Sequence, residues 1–223
     1  MPILSCNKFF LKQFKTMARG LMIVVEGCDR SGKSTQCELL VHNLKSRNID
    51  SELIKFPDRT TQTGKMIDSY LRQKSDLDDH AIHLLFSANR WEAMKSISEK
   101  LLAGKTLVID RYAYSGVAFS VAKGLDFDWC KHPDVGLLSP DLVLFLDLSI
   151  NEAEKRGGFG EERYEKRDLQ IKVRTEFRKL KDNSWKFIDA SSSIEKVEQD
   201  VMKIVLDEIS KPRKELQYNL WKH

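Results

Sequence analysis

The chain has 223 residues, of which 41% are hydrophobic and 31% charged, and its net charge is +4. This length supports one α/β domain with a sizeable core, and the composition is that of an ordinary globular protein. No stretch approaches the roughly 20 apolar residues of a membrane span, and the positive charge is too weak and scattered to indicate nucleic-acid binding. We therefore expect anionic small molecules as ligands, and neither a membrane nor a nucleic acid as a partner.

The N-terminal segment, residues 1–19, differs from the remainder because it is basic and contains no acidic residue. Such a composition is similar to that of a mitochondrial transit peptide. The alternatives are a disordered leader, or an extension upstream of a working start at Met17. We expect a cytoplasmic or nuclear protein, and a mitochondrial one if residues 1–19 act as a targeting signal.

A phosphate-binding motif follows the first predicted strand, residues 21–26. Residues 27–34 fit the pattern G-x-x-x-x-G-K-[ST] and precede a helical pattern. The two glycines, Gly27 and Gly32, allow the backbone to curl so that several N–H groups face phosphate oxygens. Lys33 supplies a positive charge and Ser34 a hydroxyl for Mg²⁺. The motif predicts a nucleoside triphosphate site, against the alternative of a chance glycine-rich turn.

The order of elements along the chain predicts one α/β domain, residues 20–212, with a parallel sheet. Apolar, β-branched runs alternate with helical patterns, which is typical of βαβ units. The predicted strands are residues 21–26, 52–56, 106–110, 141–146 and 185–189, and two of the predicted helices are residues 80–102 and 194–209. The tail, residues 213–223, is expected to be peripheral.

Polar clusters follow the second and third predicted strands, where an open α/β sheet binds its ligands. Arg59 and Arg111 are candidate anchors for a second phosphate group, because the planar guanidinium binds phosphate oxygens bidentately. The alternative for either arginine is a surface salt bridge. Asp110 ends an apolar strand and is placed to reach a metal-bound water or the transferred phosphoryl group, unless it merely caps a helix.

Two further segments extend this site. Residues 156–165 combine glycines with charges and are predicted to form a lid over the phosphates, although an exposed charged loop is the alternative. Phe86 and Arg90 are four residues apart and share a helix face, where a ring and a guanidinium can bind a base. Core packing beside a surface charge is the commoner explanation of such a pair.

The four cysteines contain no C-x-x-C pair, which indicates free thiols in a reducing compartment. Cys28 lies inside the phosphate loop. We hypothesise that its oxidation or alkylation blocks the site.

Taken together, these motifs resemble the animal and yeast type of the thymidylate kinase family over residues 20–209. The Asp-Arg-Tyr cluster at residues 110–112 and the segment Phe-Ser-Ala-Asn-Arg-Trp at residues 86–91 are its most specific parts. The resemblance implies a P-loop NTPase fold, with a five-stranded parallel sheet flanked by helices and a short lid. It implies transfer of phosphate from ATP to dTMP with Mg²⁺ as cofactor, and a homodimer.

The resemblance also implies roles for individual residues. The ATP-binding residues are Gly27, Arg30, Ser31, Gly32, Lys33, Ser34, Thr35 and Arg156. The dTMP-binding residues are Asp29, Phe56, Arg59, Phe86, Arg90, Arg111, Ser115, Gly116, Phe119 and Tyr164. The catalytic residues are Arg30, Lys33, Asp110 and Arg111, and the metal-binding residues are Ser34 and Asp110.

Two alternatives remain open. One is another P-loop kinase acting on a nucleoside monophosphate or a small molecule, and the other is a non-catalytic nucleotide-binding protein. A nucleotide-switch GTPase is disfavoured because no N-K-x-D signature occurs.

Overall fold

A five-stranded, all-parallel sheet lies at the centre of the computed structural model, which describes residues 19–156, 162–213 and 215–222. The strands are β1 (Met22–Glu26), β2 (Ser51–Lys55), β3 (Thr106–Asp110), β4 (Leu142–Asp147) and β5 (Trp185–Asp189). All five predicted strands are confirmed, and their bounds shift by at most one residue. The strands β1, β3 and β4 were recognisable because strands covered on both faces are nearly continuous apolar runs.

Helices cover both faces of the sheet. They are α1 (Lys33–Ser46), α2 (Gln62–Leu71), α3 (Asp79–Leu102), α4 (Ala113–Ala122), α5 (Phe127–Lys131), α6 (Ile150–Lys155), α7 (Arg167–Lys179) and α8 (Ile194–Ile209). The apolar sides of α1 and α8 share one hydrophobic cluster, and those of α2, α3, α4 and α7 share another. In the part of the chain that the structure describes, no helix has the length and apolar character to cross a bilayer.

The strand order is β2-β3-β1-β4-β5, which places β1 between β3 and β4. The chain leaves β1 toward one side of the sheet and later crosses to the other, so the end of β1 is a topological switch point. Ligands of open α/β sheets bind in the crevice outside such a point. The pairing of Val25 with Asp110 and of Glu26 with Phe145 brings the ends of three strands level there.

The C-terminal tail is not peripheral, contrary to the expectation from its basic composition. Leu220 is 4% exposed, and the Trp221 ring packs edge-on against Tyr114 at 5.7 Å. Backbone hydrogen bonds join Leu220 to Gly136 and Leu137 at 3.0 and 3.2 Å. These apolar side chains pack against the domain although the tail also carries the charged residues Arg213, Lys214, Glu215 and Lys222.

Candidate active site

The phosphate loop connects β1 to α1 with the backbone that its glycines predict. Gly27 and Gly32 have φ angles of 149° and 91°, values that residues with a side chain rarely adopt. Lys33 folds back over the loop, and its Nζ donates a hydrogen bond to the Cys28 carbonyl oxygen at 2.7 Å. Burial lowers the pKa of Lys33, and the nearby charge of Arg111 lowers it further. The loop therefore holds a desolvated amine that an incoming phosphate would stabilise as the cation.

Ser34 and Asp110 meet at the start of α1. The Ser34 hydroxyl donates to Asp110 Oδ2 at 2.6 Å. The contact follows from the fold, because β1 and β3 are neighbours and Asp110 ends β3 beside the loop. A hydroxyl oxygen and a carboxylate oxygen thus lie side by side where the motif predicts a cation.

The three predicted phosphate-binding arginines each face a carboxylate. Arg30 Nε donates to Glu165 Oε1 at 3.0 Å. Arg111 pairs with Asp29 and also donates to a serine hydroxyl on α4. The structure thus brings three guanidinium groups to one region, each held by an acceptor that carries negative charge.

Arg59 is the third of these arginines and has two such partners. Its Nη1 donates to Asp68 at 2.7 Å, and its Nη2 donates to Glu162 at 2.9 Å. Glu162 belongs to the predicted lid, residues 156–165, so the pair connects the loop after β2 to that segment.

Two of the arginines have strained backbones. Arg30 and Arg111 have φ angles of 62° and 68°, in the left-handed region. For a residue with a side chain this costs on the order of 1–3 kcal/mol, and such strain concentrates at functional sites. The surrounding contacts therefore hold both guanidinium groups at positions that a relaxed backbone would not favour.

The face of α3 that carries Phe86 and Arg90 turns toward the same region. Arg90 is not a surface charge, since its side chain is 3% exposed and is ion-paired with Asp134. Gly116 on α4 lies against it, because a Cβ there would approach Arg90 Nη2 to 3.0 Å. The glycine leaves the room that the guanidinium occupies.

Tyr164, near the C-terminal end of the predicted lid, forms one wall of the site. Its ring packs on Phe119 at 5.4 Å, and its hydroxyl accepts a hydrogen bond from Lys123 at 3.3 Å. Burial raises the pKa of Tyr164, so it stays protonated. An uncharged aromatic wall therefore faces the region between the phosphate loop and α4.

Arg156 connects the phosphate loop to the turn that precedes α8. It donates to the Arg30 carbonyl oxygen at 2.9 Å and to the Ala190 carbonyl oxygen at 2.6 Å. The phosphate loop is thereby joined to the turn before α8. All three glycines of the predicted lid fall in residues 157–161, which lie outside the described residues.

One cavity of about 1440 Å³ joins all of these groups. Every predicted site residue lines it except Gly27, which shapes the loop from behind. The volume exceeds the roughly 300–1,000 Å³ of a site for one small ligand. The cavity therefore has room for two ligands, one on the phosphate loop and one among the strand-end arginines and α3.

Comparison with known proteins identifies the family. A sequence profile described as thymidylate kinase matches residues 25–201. The chain belongs to the thymidylate kinase family. The Arabidopsis thaliana thymidylate kinase is 56% identical over 191 residues, covering 86% of this chain and 73% of that protein. The human thymidylate kinase is 52% identical over 208 residues, covering 92% of this chain and 98% of that protein.

A solved thymidylate kinase structure from Candida albicans has the same fold. It matches with a TM-score of 0.82 and 39% identity, and the match covers 89% of this chain and 97% of that one. The predicted P-loop NTPase fold and the resemblance to the thymidylate kinase family are confirmed. The chain is therefore an enzyme, a nucleotide-binding kinase.

Three fully buried residues that hold side chains of this candidate site in place were not predicted from the sequence. Gln170 of α7 donates to Asp29 Oδ2 at 2.6 Å and to the Tyr164 carbonyl oxygen at 3.0 Å. Its signal was a polar residue on the buried stripe that continues with Val173 and Phe177. The second is Asp134, whose Pro-Asp-Val context offers no signal.

The third missed residue is Glu26, the fully buried last residue of β1. Its carboxylate accepts hydrogen bonds from Tyr112 N at 2.9 Å and from the Ser115 hydroxyl at 2.6 Å. Burial raises its pKa, and the hydrogen bonds oppose that shift. A carboxylate at the end of an apolar strand was the available signal, and its role is to fix the start of α4.

Cys28 is buried within the phosphate loop, which argues against ready oxidation or alkylation of the folded protein. The thiol is 2% exposed, and burial raises its pKa to about 12. The reactive species is the thiolate, so a thiol with this pKa is inert at neutral pH.

Proposed function

We propose that this chain transfers the γ-phosphoryl group of ATP to dTMP, giving ADP and dTDP for DNA replication and repair. The observation that carries the proposal is the single cavity that contains both the phosphate loop and the strand-end arginines. A kinase needs two mutually repelling phosphate groups in line, and the cavity provides positive charge for both. The membership of the chain in the thymidylate kinase family indicates that the acceptor base is thymine. Phe86 would stack on this base, and Arg90 would form a hydrogen bond to it.

ATP would bind with its phosphates on the loop backbone and on Lys33. Gly32 and the start of α1 direct N–H groups and the positive end of the helix dipole to that point. Arg156 contacts both the loop and Ala190, so it would lie beside the nucleotide between the phosphates and the adenine. The side chains of Ser31 and Thr35 complete this wall of the cavity.

Ser34 and Asp110 would hold Mg²⁺. The two adjacent oxygens fit this ion, which prefers hard oxygen ligands and keeps several waters. Among residues 19–156, 162–213 and 215–222, no cluster of three or more His, Cys, Asp or Glu could form a complete protein cage. That suits Mg²⁺ bound partly by phosphates. When bound, the ion would neutralise charge on the β- and γ-phosphates.

The acceptor requires no general base. A phosphate monoester has a second pKa of about 6 and is largely a dianion at neutral pH. Arg59 and Arg111 would bind this phosphate either in place of their carboxylate partners or in addition to them. Arg30, in the loop, would stabilise the charge that spreads on the transferred phosphoryl.

Asp29 and Tyr164 would border the sugar of dTMP. The Tyr164 ring, packed on Phe119, restricts the space beside the acceptor. Phe56, also at the cavity wall, adds apolar surface near the base. An uncharged wall at this point disfavours a 2′-hydroxyl and favours deoxynucleotides.

We further propose a homodimer. Leu84 and Trp91 lie on one side of α3 and are 48% and 41% exposed, and Met66 of α2 is 51% exposed. A second copy of the chain would cover this apolar face. Leu84→Glu is expected to shift the sedimentation coefficient from that of a dimer to that of a monomer. A wild-type monomer at micromolar concentration would contradict the proposal.

We propose a cytoplasmic or nuclear location. Fluorescence microscopy of the full chain and of a version that begins at Met17 tests this, since a signal in mitochondria only for the full chain would show targeting.

The decisive experiment is a coupled ADP-release assay with ATP and Mg²⁺ across dTMP, dUMP, UMP, CMP, AMP and shikimate. Strong preference for dTMP, with weaker use of dUMP, is the expected result. Preference for another acceptor would retain the phosphate sites and reject the base assignment. No activity on any acceptor would support a nucleotide-binding protein instead.

A further inference from the structure

A buried ion pair joins Arg90 to Asp134, which ends the 3-10 turn His132–Asp134. Arg90 Nε donates to Asp134 Oδ1 at 3.1 Å, and Nη2 donates to Oδ2. The two side chains are 3% and 0% exposed. The Ser87 hydroxyl also donates to Oδ1, at 2.8 Å. Both carboxylate oxygens are therefore occupied, and the turn is tied to α3 at this point.

Stability does not explain such a pair. Removing two charges from water costs several kcal/mol per ion, and apolar residues of the same volume are often equally or more stabilising. The position of Arg90 at the cavity offers another explanation. Gly116 bounds the guanidinium on another side, since a Cβ there would approach Nη1 to 3.1 Å. The Asp134 carboxylate and the backbone at Gly116 together restrict the Arg90 guanidinium to one orientation.

The remaining arm of Arg90 is available to a ligand. Nη1 makes no hydrogen bond to another residue within the described parts of the chain, although Arg90 lines the cavity. Asp134 neutralises the charge nearby, so the arm offers N–H donors without a strong net positive charge. Such an arm suits an uncharged carbonyl oxygen of a base. It disfavours an exocyclic amino group, which presents N–H donors of its own.

We propose that Asp134 is a positioning residue for base selection. Acting through Arg90, it directs the guanidinium at the exocyclic oxygen of the acceptor base and so sets the preference for oxo over amino pyrimidines. The proposal rests on the proposed function, in which Arg90 bonds the base, and it adds the residue that gives Arg90 its direction.

Asp134→Asn tests this. The amide keeps the shape but turns an N–H donor toward the donors of Arg90. Steady-state kinetics with dTMP, dUMP and dCMP should show KM for dTMP raised about tenfold or more, with kcat changed less than about threefold. The ratio of kcat/KM for dTMP to that for dCMP should fall about tenfold or more. If Asp134 had a purely structural role, Asp134→Asn would lower kcat/KM for all three substrates by the same factor.

Asp141→Asn is the matched control. Asp141 forms a second doubly bonded arginine–aspartate pair, with Arg19 at 2.8 and 2.6 Å, at the opposite end of the strands. This variant should lower the unfolding temperature and leave the dTMP to dCMP ratio unchanged.

Two further variants make the result decisive. In an Arg90→Met background, Asp134→Asn should no longer change the ratio, because it acts through Arg90. Ser87→Ala removes one hydrogen bond to Asp134 and should shift the ratio in the same direction by about threefold. It replaces Asp134→Asn as the deciding variant if the latter does not fold.

An unchanged ratio in folded Asp134→Asn or Ser87→Ala, or a further fall in the Arg90→Met background, would overturn the positioning role. A wild-type enzyme that phosphorylates no pyrimidine nucleotide would instead overturn the proposed function.

Discussion

Arg59→Ala and Arg30→Ala should separate acceptor binding from phosphoryl transfer. The Arg59 side chain is 37% exposed, and its partners Asp68 and Glu162 are 27% and 40% exposed. Water replaces a lost partner at such sites, so Arg59→Ala should lower the free energy of unfolding by under about 1 kcal/mol. Losing charged hydrogen bonds to the acceptor phosphate costs about 1.5–3 kcal/mol. That corresponds to a rise of about 10–150-fold in KM for dTMP.

Arg30→Ala should act on a different parameter. Arg30 lies in the phosphate loop, where its guanidinium would reach the phosphoryl group during transfer. Removing a positioned arginine of this kind lowers kcat by on the order of 10³-fold. KM for dTMP should change little, because the interaction strengthens in the transition state and not in the bound substrate.

The assay is initial-rate ADP release with dTMP varied at saturating ATP, beside thermal unfolding of each variant. Arg72→Ala is the control, since Arg72 also pairs with Asp68 at 2.9 Å but does not line the cavity. It should leave KM and kcat unchanged. Equal and small effects of Arg59→Ala and Arg30→Ala would refute the assigned roles.

Four other outcomes are expected. Cys28 should resist N-ethylmaleimide at neutral pH, and full labelling in the folded protein, seen by mass spectrometry, would disprove its inertness. Burial lowers the pKa of Lys33, so Lys33 should lose its proton at a lower pH than an ordinary lysine does. Calorimetry should therefore find that ATP affinity falls as the pH rises through that lower range. The affinity for dTMP, which arginines bind, should not change over the same range. Gly64→Ala would place a Cβ 1.7 Å from the Asp58 carbonyl oxygen, so it should lower the unfolding temperature and raise KM for dTMP while ATP affinity persists. Tyr164→Ala should raise kcat/KM for UMP relative to dTMP, and an unchanged ratio would reject its role against the 2′-hydroxyl.

Much of the fold could be predicted because its signals are local. Buried parallel strands are uninterrupted apolar runs, and a phosphate loop needs glycine at Gly27 and Gly32. The candidate residues after each strand were predictable for the same reason, since the carboxyl ends of parallel strands share one edge. The packed tail was missed because Leu220 and Trp221 lie in a short segment without a helical or strand pattern, and their burial depends on Tyr114 and Leu137.

By itself, the sequence determined the strands, the loop, the arginines and the family to which the chain belongs. The tertiary structure decided which charges meet. Asp134 lies far along the chain from Arg90, as Glu162 does from Arg59, and no local pattern links them. It also decided that Arg30 and Arg111 adopt a left-handed backbone, which contacts from several elements must hold. A residue's type sets what it can bind, whereas its partners, orientation and desolvation come from segments distant in sequence.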